Sequence, residues 1–156
     1  MAMNASTDGS SVPGPEAGRL DDQLCFALYA ATNAITRLYR PLLADLKLTY
    51  PQFLVLVILW EHKKCTTGDI ARKLQLATHA ISPIIDRLET AGFVARATDQ
   101  HDGRVVNVVL TAEGAELEPR AAAVQHSIRC ATELEDSGIA ELRAQLIELA
   151  AEFGQA

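Results

Sequence analysis

Apolar residues along the chain fall into helical stripes, broken in the middle by one short alternating segment. Leu24, Leu28, Ile35, Leu38, Leu42 and Leu46 recur at three-, four- and seven-residue intervals. This spacing predicts a long helix from about Leu20, bent near Pro41, which removes a backbone donor. LKLTYPQ then interrupts the stripe. Thr49 is a candidate N-cap, and Pro51 suits the first turn of the next helix. That helix, over about residues 51–63, is almost wholly apolar, which predicts the buried centre of a domain. Residues 1–18 are mostly Gly, Pro, Ser and other small types, the composition of a disordered tail.

The segment CTTGDIARKLQLATHAISPIIDRLETAGFV carries the sharpest pattern. Thr66 or Thr67 caps a short helix with Asp69 in its first turn, running to Leu74. QLAT connects it to a second helix, with Ile81, Ile84, Ile85 and Leu88 facing inward and Gly92 at its end. Two short helices joined by a tight connector make a helix-turn-helix. Phe93–Ala97 and Val105–Leu110 then have strand composition, with DQHDG as the turn between them. Thr111-Ala-Glu-Gly opens a helix to about Arg129, and a last helix over 137–153 carries Leu142, Leu146 and Leu149 on one stripe. The predicted fold is mainly α with a small β-hairpin: a winged helix-turn-helix over 49–111, flanked by helical regions over 19–48 and 112–156. The two last helices have little of their own chain to bury against, which predicts pairing with a second copy.

Charge and composition narrow the chemistry. The net charge is −6, unlike that of a generic nucleic-acid coat protein. Residues 61–104 nevertheless hold seven Lys and Arg against six Asp and Glu, so the middle third is the relatively basic part. The N-terminus lacks the apolar run of a secretory signal, and YPQFLVLVILW is too short to span a membrane. Three cysteines in such a chain predict a cytoplasmic protein with reduced thiols. A glycine-rich phosphate loop, HExxH and CxxC are all missing, and the four histidines are scattered, so no cofactor, metal or enzyme is expected.

In a helix-turn-helix the N-terminal part of the second helix enters the major groove. Here that places Thr78, His79, Ser82 and Pro83 at the bases of double-stranded DNA, with Arg87 nearer the backbone. The wing tip runs from Gln100 to Arg104. Arg104 suits an electronegative minor groove, and Arg96 at the wing base suits a phosphate.

With the order helix, helix-turn-helix, wing and long terminal helices, the stretch RLETAGFVARATDQHDGRVVNVVLTAEG resembles the MarR family of dimeric transcription regulators. The shared elements are RLExAGxVxR, the pair Asp102 and Arg104, and LTxxG, within a resemblance covering about residues 20–153. It implies a homodimer, joined through its terminal helices, whose two winged lobes read a pseudo-palindromic operator. Within that family, Cys25 in QLCFALY, Tyr39 in YRPLL and Tyr50 in LTYPQ resemble the organic-hydroperoxide-sensing branch. That resemblance implies a peroxidatic Cys25, tyrosine hydroxyls from the partner subunit at its sulfur, and a distal cysteine, Cys130, that resolves the oxidised thiol as an intersubunit disulfide.

The residues bear on this separately. A free cysteine is more often a buried, inert apolar residue than a reactive one. Tyr29, however, follows Cys25 by one helical turn and lies on the same face. Tyr39 follows by fourteen residues, about 21 Å of continuous helix, so it cannot reach Cys25 along that helix unless the kink is extreme, whereas a second chain could bring it there. Phenolic hydroxyls and a nearby helix N-terminus favour a thiolate, the form that attacks a peroxide. Leu24, Phe26 and Leu28 suit an organic oxidant. Cys65, beside Lys63 and Lys64, reads as an incidental surface thiol. The recognition helix departs from the branch: Ala77-Thr78-His79-Ala80 stands where a carboxylate and a glycine are usual, and Ala95 and Ala97 thin the basic run of the wing. The expected function is a repressor released from DNA by oxidation of Cys25. A repressor answering to a non-covalent phenolic ligand, and a thiol peroxidase, are the alternatives.

Overall fold

The computed structural model of the chain describes residues 18–154. The expected tail therefore lies outside the described residues except for Gly18. The chain divides into two compact units, one ending at Ala34 and one running from Ile35 onward.

In the first unit a 3-10 turn at Leu20–Asp22 precedes α1, which begins at Leu24 rather than Leu20. Gln23 closes the turn, its amide donating to the Leu20 carbonyl at 3.1 Å. The α1 helix spans Leu24–Ala44, so the unit boundary falls inside it, and it runs through Pro41 to end one turn later. Its end is a Schellman motif. The Leu48 amide reaches Leu43 O at 3.0 Å, the Lys47 amide reaches Ala44 O at 2.9 Å, and Lys47 takes φ 57°. Lysine thus holds the left-handed position that glycine fills at lowest cost.

The second unit is built around α2 (Tyr50–His62), which starts where Thr49 and Pro51 predict. The Thr49 amide donates to Gln52 Oε1 at 2.8 Å. Phe53, Val55, Leu56, Ile58, Leu59 and Trp60 are all buried, as a helix apolar on every side requires. Next come β1 (Lys64–Thr66), α3 (Thr67–Leu74), α4 (Thr78–Thr90), β2 (Val94–Thr98) and β3 (Val106–Leu110). The strands form one antiparallel sheet in the order β1-β3-β2, with Cys65 and Arg96 on either side of Val108. The winged helix-turn-helix is therefore present, and its hairpin carries an unexpected third strand. Ile81, Ile85 and Leu88 of α4 are fully buried, each adding roughly 1.5–3 kcal/mol of apolar burial.

The helix opened by Thr111 divides at Leu117 into α5 (Ala112–Glu116) and α6 (Glu118–Ala131). Pro119 sits in the first turn of α6, where its missing donor costs least. Gly114 explains the LTxxG element. A Cβ there would lie 2.0 Å from the Phe93 carbonyl oxygen. Thr111 Oγ1 donates to Gly92 O at 2.6 Å and accepts from the Gly114 amide at 3.0 Å, while the Trp60 indole donates to Gly114 O at 3.0 Å. This knot ties the base of the wing to α2 and α5. The last helix, α7 (Asp136–Phe153), has no buried residue, and Leu142, Leu146, Ile147 and Phe153 stand exposed.

Candidate nucleic-acid interface and redox site

The two helices of the helix-turn-helix begin differently. Thr66 and Asp69 form a reciprocal capping box on α3: Thr66 Oγ1 accepts from the Asp69 amide at 3.1 Å, and Asp69 Oδ2 accepts from the Thr66 amide at 3.3 Å. The Thr66 hydroxyl, donating to Asp69 Oδ2 at 2.7 Å, is the largest cause holding the Asp69 carboxyl below the usual aspartate range, and the Thr66 amide adds to it. By contrast α4 has Ala77 at its N-cap and no side-chain cap. Thr78, His79, Pro83 and Arg87 are exposed on α4. Ser82 is half-buried, its hydroxyl donating to Thr78 O at 3.3 Å. The first amides of α4 thus sit beside exposed polar side chains, a ready site for an anion such as a phosphate.

The wing is organised by Asp99. Its Oδ1 accepts from the His101 amide at 2.9 Å, and its Oδ2 from Asn107 Nδ2 at 3.1 Å and Lys64 Nζ at 3.3 Å. The His101 amide first, then Lys64, hold this carboxyl below its ordinary range. Its signal in the sequence was an Asp two residues before a turn, the usual Asx arrangement. At the tip, Gln100 is exposed, and Arg104 is 93% exposed, with its Nε 3.2 Å from Asp102 Oδ1. Arg96, expected at a phosphate, is engaged within the protein. Its guanidinium pairs with Asp86 at 2.5 Å and with Glu89, and its amide donates to Glu89 Oε1 at 3.1 Å. Both carboxylates belong to α4, so Arg96 clamps the wing to the recognition helix.

The three thiols separate by environment. Cys25 and Cys130 are exposed and Cys65 is buried. Cys65 is therefore not a surface thiol: it sits in β1 opposite Val108, 7% exposed, in the core of the winged unit. Burial pushes its thiol up, Asp69 adds to this, and Lys73 opposes it. That environment makes it a poor nucleophile. Its strand was illegible because three residues carry too little period-two signal.

Cys25 and Tyr29, one turn apart on α1, belong to the first unit, and both are exposed. Tyr39 and Tyr50 belong to the second unit, which brings them together. Their ring centroids are 4.7 Å apart, and both rings lean on Phe53. Burial raises both phenols above their ordinary range, with Tyr50 adding to the effect on Tyr39. They stay protonated, and so able to donate, at any physiological pH. Beside Tyr50 lies a pocket of about 340 Å³ bordered by Thr36, Arg40, Leu43, Leu48 and Pro51. On α6, Cys130 Sγ stands 3.6 Å from His126 Nε2. In the sequence His126 is one of four scattered histidines. Its signal was the i, i+4 spacing to Cys130. Among the described residues no group of three or more His, Cys, Asp or Glu side chains is placed to hold a metal ion, and no helix is long and apolar enough to cross a membrane.

This arrangement of helix-turn-helix and wing has counterparts among known proteins. The MarR family model matches residues 48–106. The organic hydroperoxide resistance transcriptional regulator of Bacillus subtilis is 34% identical over 84% of this chain and 89% of its own length. The chain belongs to the MarR family and is a transcriptional regulator. The HTH-type transcriptional regulator TtmR of Methylorubrum extorquens is 44% identical over 70% of the chain, which spans only 56% of that relative's length. Among solved structures, reduced AbfR bound to DNA matches with TM-score 0.69 and 30% identity, over 86% of this chain and 94% of that one. AbfR, from Staphylococcus epidermidis, has also been solved in a disulfide form, similar at TM-score 0.63 and 31% identity over 83% of this chain and 91% of that one.

Proposed function

We propose that this regulator is a dimeric repressor that binds double-stranded DNA at a pseudo-palindromic operator and leaves it when an organic hydroperoxide oxidises Cys25. The observation that carries the reading is the sorting of the thiols. Two are exposed and one is buried, and the exposed pair is the one the family resemblance assigns to peroxide sensing and resolution. The Cys25 thiolate attacks the distal peroxide oxygen, the O–O bond breaks, and the alcohol leaves, so the thiol becomes a sulfenic acid while the hydroperoxide is reduced. Tyr39 and Tyr50, adjacent and protonated, are suited to donate to such a thiolate across a dimer. Cys130 then condenses with the sulfenic acid of Cys25 in the partner subunit, and water leaves. A relative named for organic hydroperoxide resistance and a structural neighbour solved both on DNA and as a disulfide support the reading. Regulation of this kind is a population shift between lobe spacings that fit and do not fit two half-sites.

The test is release from a duplex obtained by in vitro selection, with and without stoichiometric cumene hydroperoxide, for wild type, Cys25→Ser and Cys130→Ser. Wild type releases, and Cys25→Ser stays bound. A Cys25→Ser protein that still leaves DNA on oxidation sinks the sensor assignment. On a non-reducing gel, a disulfide-linked dimer from Cys130→Ser removes Cys130 as resolving thiol. The pocket bordered by Arg40 and Tyr50 favours one second reading, a non-covalent amphipathic anion such as a phenolic acid. Release of the Cys25→Ser protein by salicylate would establish that reading in place of the first.

A further inference from the structure

We infer that His126 is the positioning base of the resolving thiol: it draws the proton from Cys130 and so sets the rate at which oxidised Cys25 is captured as a disulfide. The inference rests on the proposed role of Cys130 and deepens it. Three observations on α6 carry it. Cys130 Sγ and His126 Nε2 are 3.6 Å apart, within reach of a sulfur hydrogen bond. Both side chains stand on the exposed side of the helix, away from Ala121, Val124 and Ile128, which face the core. The nearby cation of α6, Arg129, is spent on Asp136 of α7 in an ion pair, leaving the imidazole as the group in contact with the sulfur.

A free thiol is only a few per cent thiolate at pH 7, and the thiolate is the nucleophile. The imidazole nitrogen takes the thiol proton. The Cys130 sulfur attacks the sulfur of the Cys25 sulfenic acid, the S–S bond forms, and the S–O bond breaks. The departing hydroxide takes up a proton from the imidazolium and leaves as water, so protons and electrons balance with no further reductant. Other charged and titratable groups on the segments packed around α6 are Glu61 of α2, which shares a groove with Ala122 and Gln125 and is paired with His62, Asp45, which shares a groove with Arg120 and Ser127, and Glu113 and Glu116 of α5 at the opposite end of the helix. Asp136 is held by Arg129.

The full-length wild type, His126→Gln and Cys130→Ser are each treated with one equivalent of cumene hydroperoxide between pH 5 and 8. Aliquots are quenched with N-ethylmaleimide and run on non-reducing gels, and the sulfenic acid is trapped in parallel with dimedone. His126→Gln should form the Cys25 sulfenic acid at the wild-type rate. It should convert it to disulfide about tenfold more slowly at pH 7, and it should lose the pH-dependent step that an imidazole contributes between roughly pH 5 and 8. Because His126 is exposed, the glutamine leaves the core intact. Disulfide formation by His126→Gln at the wild-type rate and with the wild-type pH profile overturns the inference while leaving the resolving role of Cys130 standing. Disulfide formation by Cys130→Ser overturns both.

Discussion

The winged unit and the last helix are built from comparably apolar sequence and end in opposite states. In α2 six large side chains are buried, and Ile70, Ile81, Ile85, Leu88 and Val108 close the same core without help from another chain. In α7, eighteen residues long, not one residue is buried, although Leu142 and Leu146 recur at helical spacing. The difference teaches where the protein buries its own apolar faces and where it leaves them uncovered. Helices packed on a small sheet consume their own apolar faces. A single amphipathic helix at the end of the chain cannot, and an uncovered stripe of this length is what subunit interfaces are made from.

The sharpest break of the self-contained side is Gly114→Ala. The new Cβ meets the Phe93 carbonyl oxygen at 2.0 Å, a backbone atom that cannot swing away. The expected loss is about 3 kcal/mol, seen as a fall in the urea midpoint. Trp60, the chain's one tryptophan, reports it by fluorescence, because its indole donates to the same residue's carbonyl. An unchanged midpoint would mean the knot at the wing base tolerates expansion and is not what holds the two parts together.

The open side is tested by Leu142→Glu with Leu146→Glu. Both positions are exposed in the single chain, so the winged core should keep its helical content. Sedimentation should shift from dimer to monomer, and affinity for a two-half-site duplex should fall about a hundredfold as bivalent binding is lost. A dimer that survives both substitutions would place the interface elsewhere.

A smaller effect sharpens the comparison within the winged unit. Asp99 is held below the ordinary aspartate range, so its bonds to the His101 amide, Asn107 and Lys64 contribute fully above about pH 4 and are lost as pH falls through the lowered value. Asp99→Asn should show a shallower drop in melting temperature between pH 4 and pH 2.5 than wild type. Wild-type acid dependence in the variant would show that the wing turn stands without this carboxylate.

Much of this was legible in the sequence. The boundaries of α3 and α4 follow from Thr66, Asp69 and the inward-facing isoleucines, because capping and helical periodicity are local properties. The hairpin followed from two β-rich runs with a turn between them. What escaped were pairings between distant residues. Lys64–Thr66 becomes a strand only because Val106–Leu110, some forty residues later, offers it an edge, and that edge turns Cys65 from an apparent surface thiol into a core residue. Arg96 reads as a free cation until the fold places Asp86 and Glu89 of α4 beside it.

The amino-acid order alone determined the helices, the turn, the wing and the family pattern that points to Cys25, since each is written in spacing and residue type over a few turns of chain. Only the tertiary structure decided which thiols solvent reaches, which arginine of the wing remains exposed, and that Tyr39 and Tyr50 stand together against Phe53. Those outcomes depend on burial and on charges brought close by folding, and neither quantity exists along an extended chain.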